Sequence, residues 1–131
     1  MRMKSVLPSF LLLLTLWSCS GTDQNGVKGV DVATFKQVIQ EKKEGILLDI
    51  RTDSEVAAGR IPGAIQIDYY SPDFISKIGQ LDTSKPLFLY CAVGGRSASA
   101  ISDFQKAGFK EIYHLQPGIQ GWKAAGETIE Y

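Results

Sequence analysis

The chain has 131 residues, and its 14 Lys and Arg balance 14 Asp and Glu. Apolar residues make up 44% and charged residues 21%, which suits one soluble domain and excludes extended disorder, collagen or a coiled coil as the main architecture. Charge balance gives no footprint for a nucleic-acid partner. Two cysteines and one histidine exclude a disulfide scaffold, a thiolate zinc site and a His-rich centre, so neither metal nor organic cofactor is expected.

Residues 1–18 read as a secretory signal peptide. Arg2 and Lys4 form a positive head, and the apolar run from Val6 to Trp17, broken only by Pro8, Ser9 and Thr15, is roughly half the ~20 residues of a membrane span. Leu16-Trp17-Ser18-Cys19 resembles a lipobox, in which the cysteine becomes the acylated first residue of the mature chain; Trp17 is bulky for its position. Residues 19–26 are polar and contain glycine, the composition of a flexible tether. The resemblance implies a bacterial lipoprotein of the cell envelope, facing the periplasm and held to a membrane by lipid on Cys19. Removing residues 1–18 takes away two basic residues and no acid, leaving a formal charge of −2. Acylation of Cys19 would leave Cys91 as the only free thiol, with no internal disulfide open to it.

Residues 27–131 alternate strand and helix signals. Val27 to Val30 is a short strand. Asp31 caps a helix through Lys43, with Val32, Phe35, Val38 and Ile39 at helical spacing and Gly45 as the stop. Ile46 to Ile50 is a continuous apolar run with one acid, the pattern of a strand buried on both faces. Thr52 or Asp53 caps a short helix from Ser54 to Ala58, Pro62-Gly63 turns the chain, and Ala64 to Ile67 is a second short strand. Ser71-Pro72 opens a helix with Phe74, Ile75 and Ile78 inward. Pro86 to Tyr90 is the next buried strand. Ser97 to Ala107 is a helix with Ile101 and Phe104 inward, Glu111 to Leu115 a last strand, and Ile119 to Ala125 a last helix. This order predicts an α/β fold with a mostly parallel central sheet flanked by helices.

Cys91 falls at the carboxyl end of the strand ending at Tyr90, where open α/β sheets bind ligands. Ala92-Val93-Gly94-Gly95-Arg96-Ser97 follow, and then a helix. Gly94 and Gly95 permit a turn that aims several amides at one point. The helix start and Arg96 add positive potential, and together these favour a thiolate at Cys91. The plain alternative is a strand-to-helix turn with a cysteine serving as a small core residue.

Three stretches from Val27 to Tyr131 resemble the rhodanese family. Asp49 and Arg51, followed by Glu55, Gly59, Ile61, Pro62, Gly63 and Ala64, resemble its "D-x-R…E…G-H-I-P-G-A" segment. Cys91 to Ser97 matches its "C-x-x-G-x-R-S" loop. Leu115, Gly118, Gly121 and Trp122 resemble its tail. Arg60 stands in place of the usual histidine and Pro117 in place of the first tail glycine, which predicts altered packing at the loop rim.

The resemblance implies a three-layer sandwich and a sulfurtransferase in which Cys91 carries sulfane sulfur as a persulfide. The donor would be a small molecule such as thiosulfate and the acceptor cyanide or a thiol. Separately, a lone thiol in an oxidising envelope must be kept from over-oxidation, which implies a thiol-redox protein as a further partner. It also implies that Ala92 to Ser97 line the site, and that Asp49 and Arg51 support the loop; otherwise those two are a capping pair, with Glu55 at the right spacing to meet Arg51. Arg96 either binds an anionic donor or braces the loop. Four residues separate Cys91 from Arg96, one fewer than in the cysteine phosphatases, so phosphatase and arsenate reductase rank behind sulfur transfer and behind a binding or redox-sensing module. Tyr69 and Tyr70 are candidates for the pocket wall, Trp122 for the core. His114 reads as a surface or partly buried strand residue.

Overall fold

The computed structural model describes residues 25–131. The signal segment, Cys19 and the tether as far as residue 24 lie outside the described residues. The described residues begin within the expected tether. Asn25 and Gly26 form a turn, and the Gly26 carbonyl accepts the Ile112 amide at 2.8 Å.

Among the described residues five strands and five helices alternate: β1 Val27–Val30, α1 Val32–Glu41, β2 Ile46–Asp49, α2 Asp53–Ala57, β3 Ile65–Gln66, α3 Phe74–Ile78, β4 Leu87–Tyr90, α4 Gly95–Ala107, β5 Ile112–Leu115 and α5 Gly118–Ala124. The sheet order is β1-β5-β4-β2-β3, and every neighbouring pair is parallel.

The period-two alternation of side chains divides the core into two layers. Leu87 and Leu89 of β4 and Ile112 of β5 face α3 and α4, where Phe74, Ile78, Ala100 and Phe104 meet them. Phe88 and Tyr90 of β4 and Tyr113 and Leu115 of β5 face α1 and α5, against Phe35, Ile119 and Trp122. The Phe35 ring stands edge-on to Phe88 and Trp122, with centroids 6.2 and 6.5 Å apart. Each fully buried large apolar side chain contributes about 1.5–3 kcal/mol. Four-residue strands suffice because β4 is covered on both faces and flanked by paired strands on both edges.

Some helix ends differ from expectation. α1 ends at Glu41, and Lys42 beyond it meets Glu111 at 2.9 Å. Pro72 does not open α3. The chain makes a turn closed by the Phe74 amide on the Ser71 carbonyl (3.0 Å), and the helix starts at Phe74. Pro72 is taken up in that turn, and Asp73 becomes the N-cap of α3. Only Phe74 and Ile78 point inward; Ile75 is 61% exposed. α4 starts at Gly95, two residues earlier than expected, which turns Ser97 inward in its first turn.

Candidate active site

β4 is the central strand, and the residue it delivers at its carboxyl end is Cys91, a free thiol only 1% exposed. The chain then passes through Ala92 and Val93 to Gly94, whose φ of 100° lies in the left-handed region. A Cβ there would sit 2.0 Å from the Gln116 carbonyl oxygen, so only glycine closes this turn. Gly95, expected to share the task, is the first residue of α4 and has open space where a Cβ would go.

This turn aims donors at the sulfur. The Gly94 amide reaches Cys91 Sγ at 3.2 Å, the Ser97 amide at 3.5 Å, and the Ser97 hydroxyl lies 3.4 Å away. Burial pushes the thiol up. The Ser97 hydroxyl and the amides of Ser97, Gly94 and Val93 outweigh it, so Cys91 ionises below the ordinary thiol range.

Amides turned inward leave carbonyls turned outward. The Cys91 carbonyl accepts the Ile119 amide at 2.9 Å and the Ala92 carbonyl accepts Gln120 at 3.1 Å, so the first turn of α5 holds the loop from behind. Gly118, with φ of 60°, lets the two segments approach: a Cβ there would lie 2.3 Å from the Ala92 oxygen. Pro117 packs against Gly121 at this junction and leaves the loop intact. Arg60, the other departure, pairs with Glu130 at 3.0 Å, which ties the chain end to the 59–64 turn.

Arg96 braces the loop. Its Nη1 and Nη2 donate to the two carboxylate oxygens of Glu55 at 2.8 and 2.6 Å, and its guanidinium stands 5.6 Å from the exposed Tyr70 ring. Glu55 also accepts the Thr52 amide at 2.9 Å in a capping box that starts α2. The Arg96 guanidinium lowers the Glu55 carboxyl to about 2, and Glu55 raises the already high Arg96.

Glu55 is therefore not the carboxylate partner of Arg51. Arg51 pairs with Asp49 at 2.6 Å and donates to the Glu55 and Gly59 carbonyls at 3.2 and 2.8 Å. Asp49 and Arg51 are buried, and their side-chain hydrogen bonds join them to each other and to the Glu55 and Gly59 carbonyls. Arg51 holds α2 at Glu55 and the turn after it at Gly59, and Glu55 holds Arg96, so the buried pair is joined to the loop at one remove. Tyr69 is half-buried, its ring 5.3 Å from Phe74 and 5.4 Å from Tyr70, while Val93 and Tyr70 are exposed beside the loop. Trp122 is core, its Nε1 donating to the Thr128 carbonyl at 2.8 Å.

His114 departs most from expectation. It is buried, and its Nδ1 lies 2.9 Å from the Ser97 hydroxyl that touches the sulfur. Its position two residues after Ile112, on the α4 side of β5, is the one signal in the sequence that points there.

A parallel sheet with a cysteine cradled at the end of its central strand defines a class, and the comparisons with known proteins give it a family. The profile of the Rhodanese-like domain matches residues 31–125, and the chain belongs to that family. A putative sulfurtransferase of Bacillus subtilis, YtwF, is 33% identical, the match covering 78% of this chain and 94% of that protein. The thiosulfate sulfurtransferase GlpE of Pseudomonas putida is 36% identical over 71% of this chain and 89% of its own length. The crystal structure of a rhodanese-related protein from Thermoplasma volcanium superposes with a TM-score of 0.68 at 26% identity, covering 79% of this chain and 97% of that one.

Proposed function

We propose that the chain is a sulfurtransferase that carries sulfane sulfur on Cys91. The observation that carries this reading is the sulfur at the focus of the Gly94 and Ser97 amides and the Ser97 hydroxyl. Such a cradle stabilises a thiolate before attack and the terminal anion of a persulfide after it. In the first half-reaction the Cys91 thiolate attacks the outer sulfur of the donor. With thiosulfate, an S–S bond forms to Cys91, the donor's S–S bond breaks, and sulfite leaves with the electron pair. In the second, a nucleophile takes the outer sulfur: cyanide gives thiocyanate, a thiolate gives a new persulfide, and the Cys91 thiolate returns. This is covalent catalysis in two displacements.

The donor has low charge. Arg96 is the sole cation of residues 91–97, and both carboxylate oxygens of Glu55 already engage it. A thiosulfate dianion would have to compete with that pair. An alkyl persulfide or hydropolysulfide would not, and the exposed Val93 and Tyr70 offer it an apolar rim.

We further propose that residues 1–18 export the chain and that lipid on Cys19 holds it in the bacterial envelope, where a thiol-redox partner keeps Cys91 from over-oxidation. Palmitate labelling that disappears in Cys19→Ser would support the anchor; labelling that persists would overturn it.

The first test uses the full-length chain with Cys19→Ser, which leaves Cys91 as the only thiol. Incubation with thiosulfate or a polysulfide, followed by intact-mass spectrometry, should show one added sulfur atom that cyanide removes and that Cys91→Ser abolishes. No addition from any sulfur donor would overturn the reading in favour of a binding or sensing module. Turnover of a phosphoester or arsenate instead would place the chain with the phosphatases and arsenate reductases.

A further inference from the structure

The proposed mechanism needs a hydroxyl proton pointed at the sulfur, and Ser97 has one proton to share among three neighbours. Its Oγ lies 3.4 Å from Cys91 Sγ, 3.2 Å from the Gly94 carbonyl oxygen and 2.9 Å from His114 Nδ1. A carbonyl and a thiolate can only accept. The imidazole is the neighbour whose role is open, because a neutral ring carries its proton on either nitrogen.

The two tautomers have opposite effects. If Nδ1 is bare, it is the nearest acceptor and draws the Ser97 proton away from the sulfur. If Nδ1 carries the proton, it donates to Oγ, and the hydroxyl proton is left for the Gly94 carbonyl or for the sulfur. With Cys91 as a thiol, S–H donates to Oγ and the hydroxyl turns to Gly94. On ionisation the hydroxyl turns to the thiolate. Gly94 then still has a donor, since its carbonyl accepts the Ala98 amide at 3.1 Å. The Nδ1–H tautomer thus serves both protonation states of Cys91 without moving a heavy atom.

We propose that His114 is a positioning residue for sulfur transfer: held as the neutral Nδ1–H tautomer, it donates to Ser97 Oγ and so commits the Ser97 hydroxyl to the Cys91 thiolate. The inference rests on the reading of Cys91 as the reactive thiolate. Two further observations agree with it. Burial lowers the His114 imidazole from its ordinary value, so the ring is neutral at pH 7. Among the described residues no fully buried side-chain nitrogen or oxygen lacks a partner. His114 Nε2 has no hydrogen-bond partner among the described residues, so it is not fully buried and a bare Nε2 is open to solvent. The other ionisable groups facing the loop are Arg96 on α4, Glu55 on α2 and Tyr70 before α3, and they remain in every variant below.

The test uses the full-length chain with Cys19→Ser and two readouts. Long-range nitrogen–proton NMR on the chain with His114 intact should show the ring proton on Nδ1. The Cys91 thiolate, followed by its ultraviolet absorbance and by the pH dependence of iodoacetamide alkylation, should titrate about one unit higher in His114→Phe. His114→Asn, which can return an N–H to the Nδ1 position, should restore it to within about threefold. Ser97→Ala should raise the titration similarly, and adding His114→Phe to Ser97→Ala should change it no further, because His114 acts through Ser97. A ring proton on Nε2 overturns the proposal without any variant having to fold. So does a Cys91 titration that His114→Phe leaves unmoved, or one that moves equally with and without Ser97. No readout involves sulfur transfer, so failure of Cys91 to accept sulfur would overturn the proposed function and leave this assignment standing.

Discussion

Two Arg–carboxylate pairs stand about one helix apart in this protein, and they do different work. Asp49–Arg51 is buried, with side chains 0% and 4% exposed. Glu55–Arg96 lies at the surface of the site, 33% and 18% exposed. Both have a contact of 2.6 Å, so geometry does not separate them. Solvent does. A buried pair must be complete or the remaining charge is stranded, whereas a pair at the rim can open to water and close again at little cost. The inner pair fixes α2 on the sheet. The outer pair uses α2 as an anchor for the reactive loop and occupies its cation.

Breaking the inner pair should have the largest effect. Arg51→Met leaves the Asp49 carboxylate buried without its partner and should cost about 3–5 kcal/mol, measured by denaturant unfolding; a loss below about 1 kcal/mol would mean that water reaches Asp49. Breaking the outer pair should cost about 1 kcal/mol at most and act on chemistry instead. With Arg96 released by Glu55→Gln, sulfur loading from thiosulfate should speed up relative to loading from an alkyl persulfide, by roughly tenfold if one charge-assisted contact is gained. An unchanged ratio would show that Arg96 does not select the donor. The smallest effect is that of acid. Glu55 has its carboxyl lowered in the folded state from 4.5 to about 2, so its contribution to stability is complete above about pH 4.5 and is lost as pH falls toward 2. Wild type should therefore lose more stability over that window than Glu55→Gln, and parallel unfolding curves would contradict the pairing.

The same contrast explains what was legible in the sequence. Ile46–Ile50 and Pro86–Tyr90 read as buried strands because both faces of a parallel strand are covered, and that leaves a continuous apolar run. The Cys91–Ser97 loop was legible because glycine, cysteine and arginine at fixed spacing need no distant partner to be recognised. Glu55 was visible but not its partner, because Arg51 was near in sequence and Arg96 near only in space. His114 was harder still. In a strand with one polar residue, the alternation does not say whether that residue faces water or a hydroxyl, and Ser97 comes into range only because α4 starts two residues early. Pro72 satisfies the rule for a first helical residue, yet the chain uses it in a turn and begins α3 two residues later at Phe74, with Asp73 as the N-cap.

The loop depends on α5 in order as well as in space. The outward carbonyls of Cys91 and Ala92 are held by the amides of Ile119 and Gln120, which are made after β4 and α4. A growing polypeptide can complete β4 and α4 and still have nothing to hold the turn between them. Until residues 118–120 are in place, the turn that aims the Gly94 and Ser97 amides at Cys91 lacks its backing, so translation completes the cradle well after it delivers the cysteine.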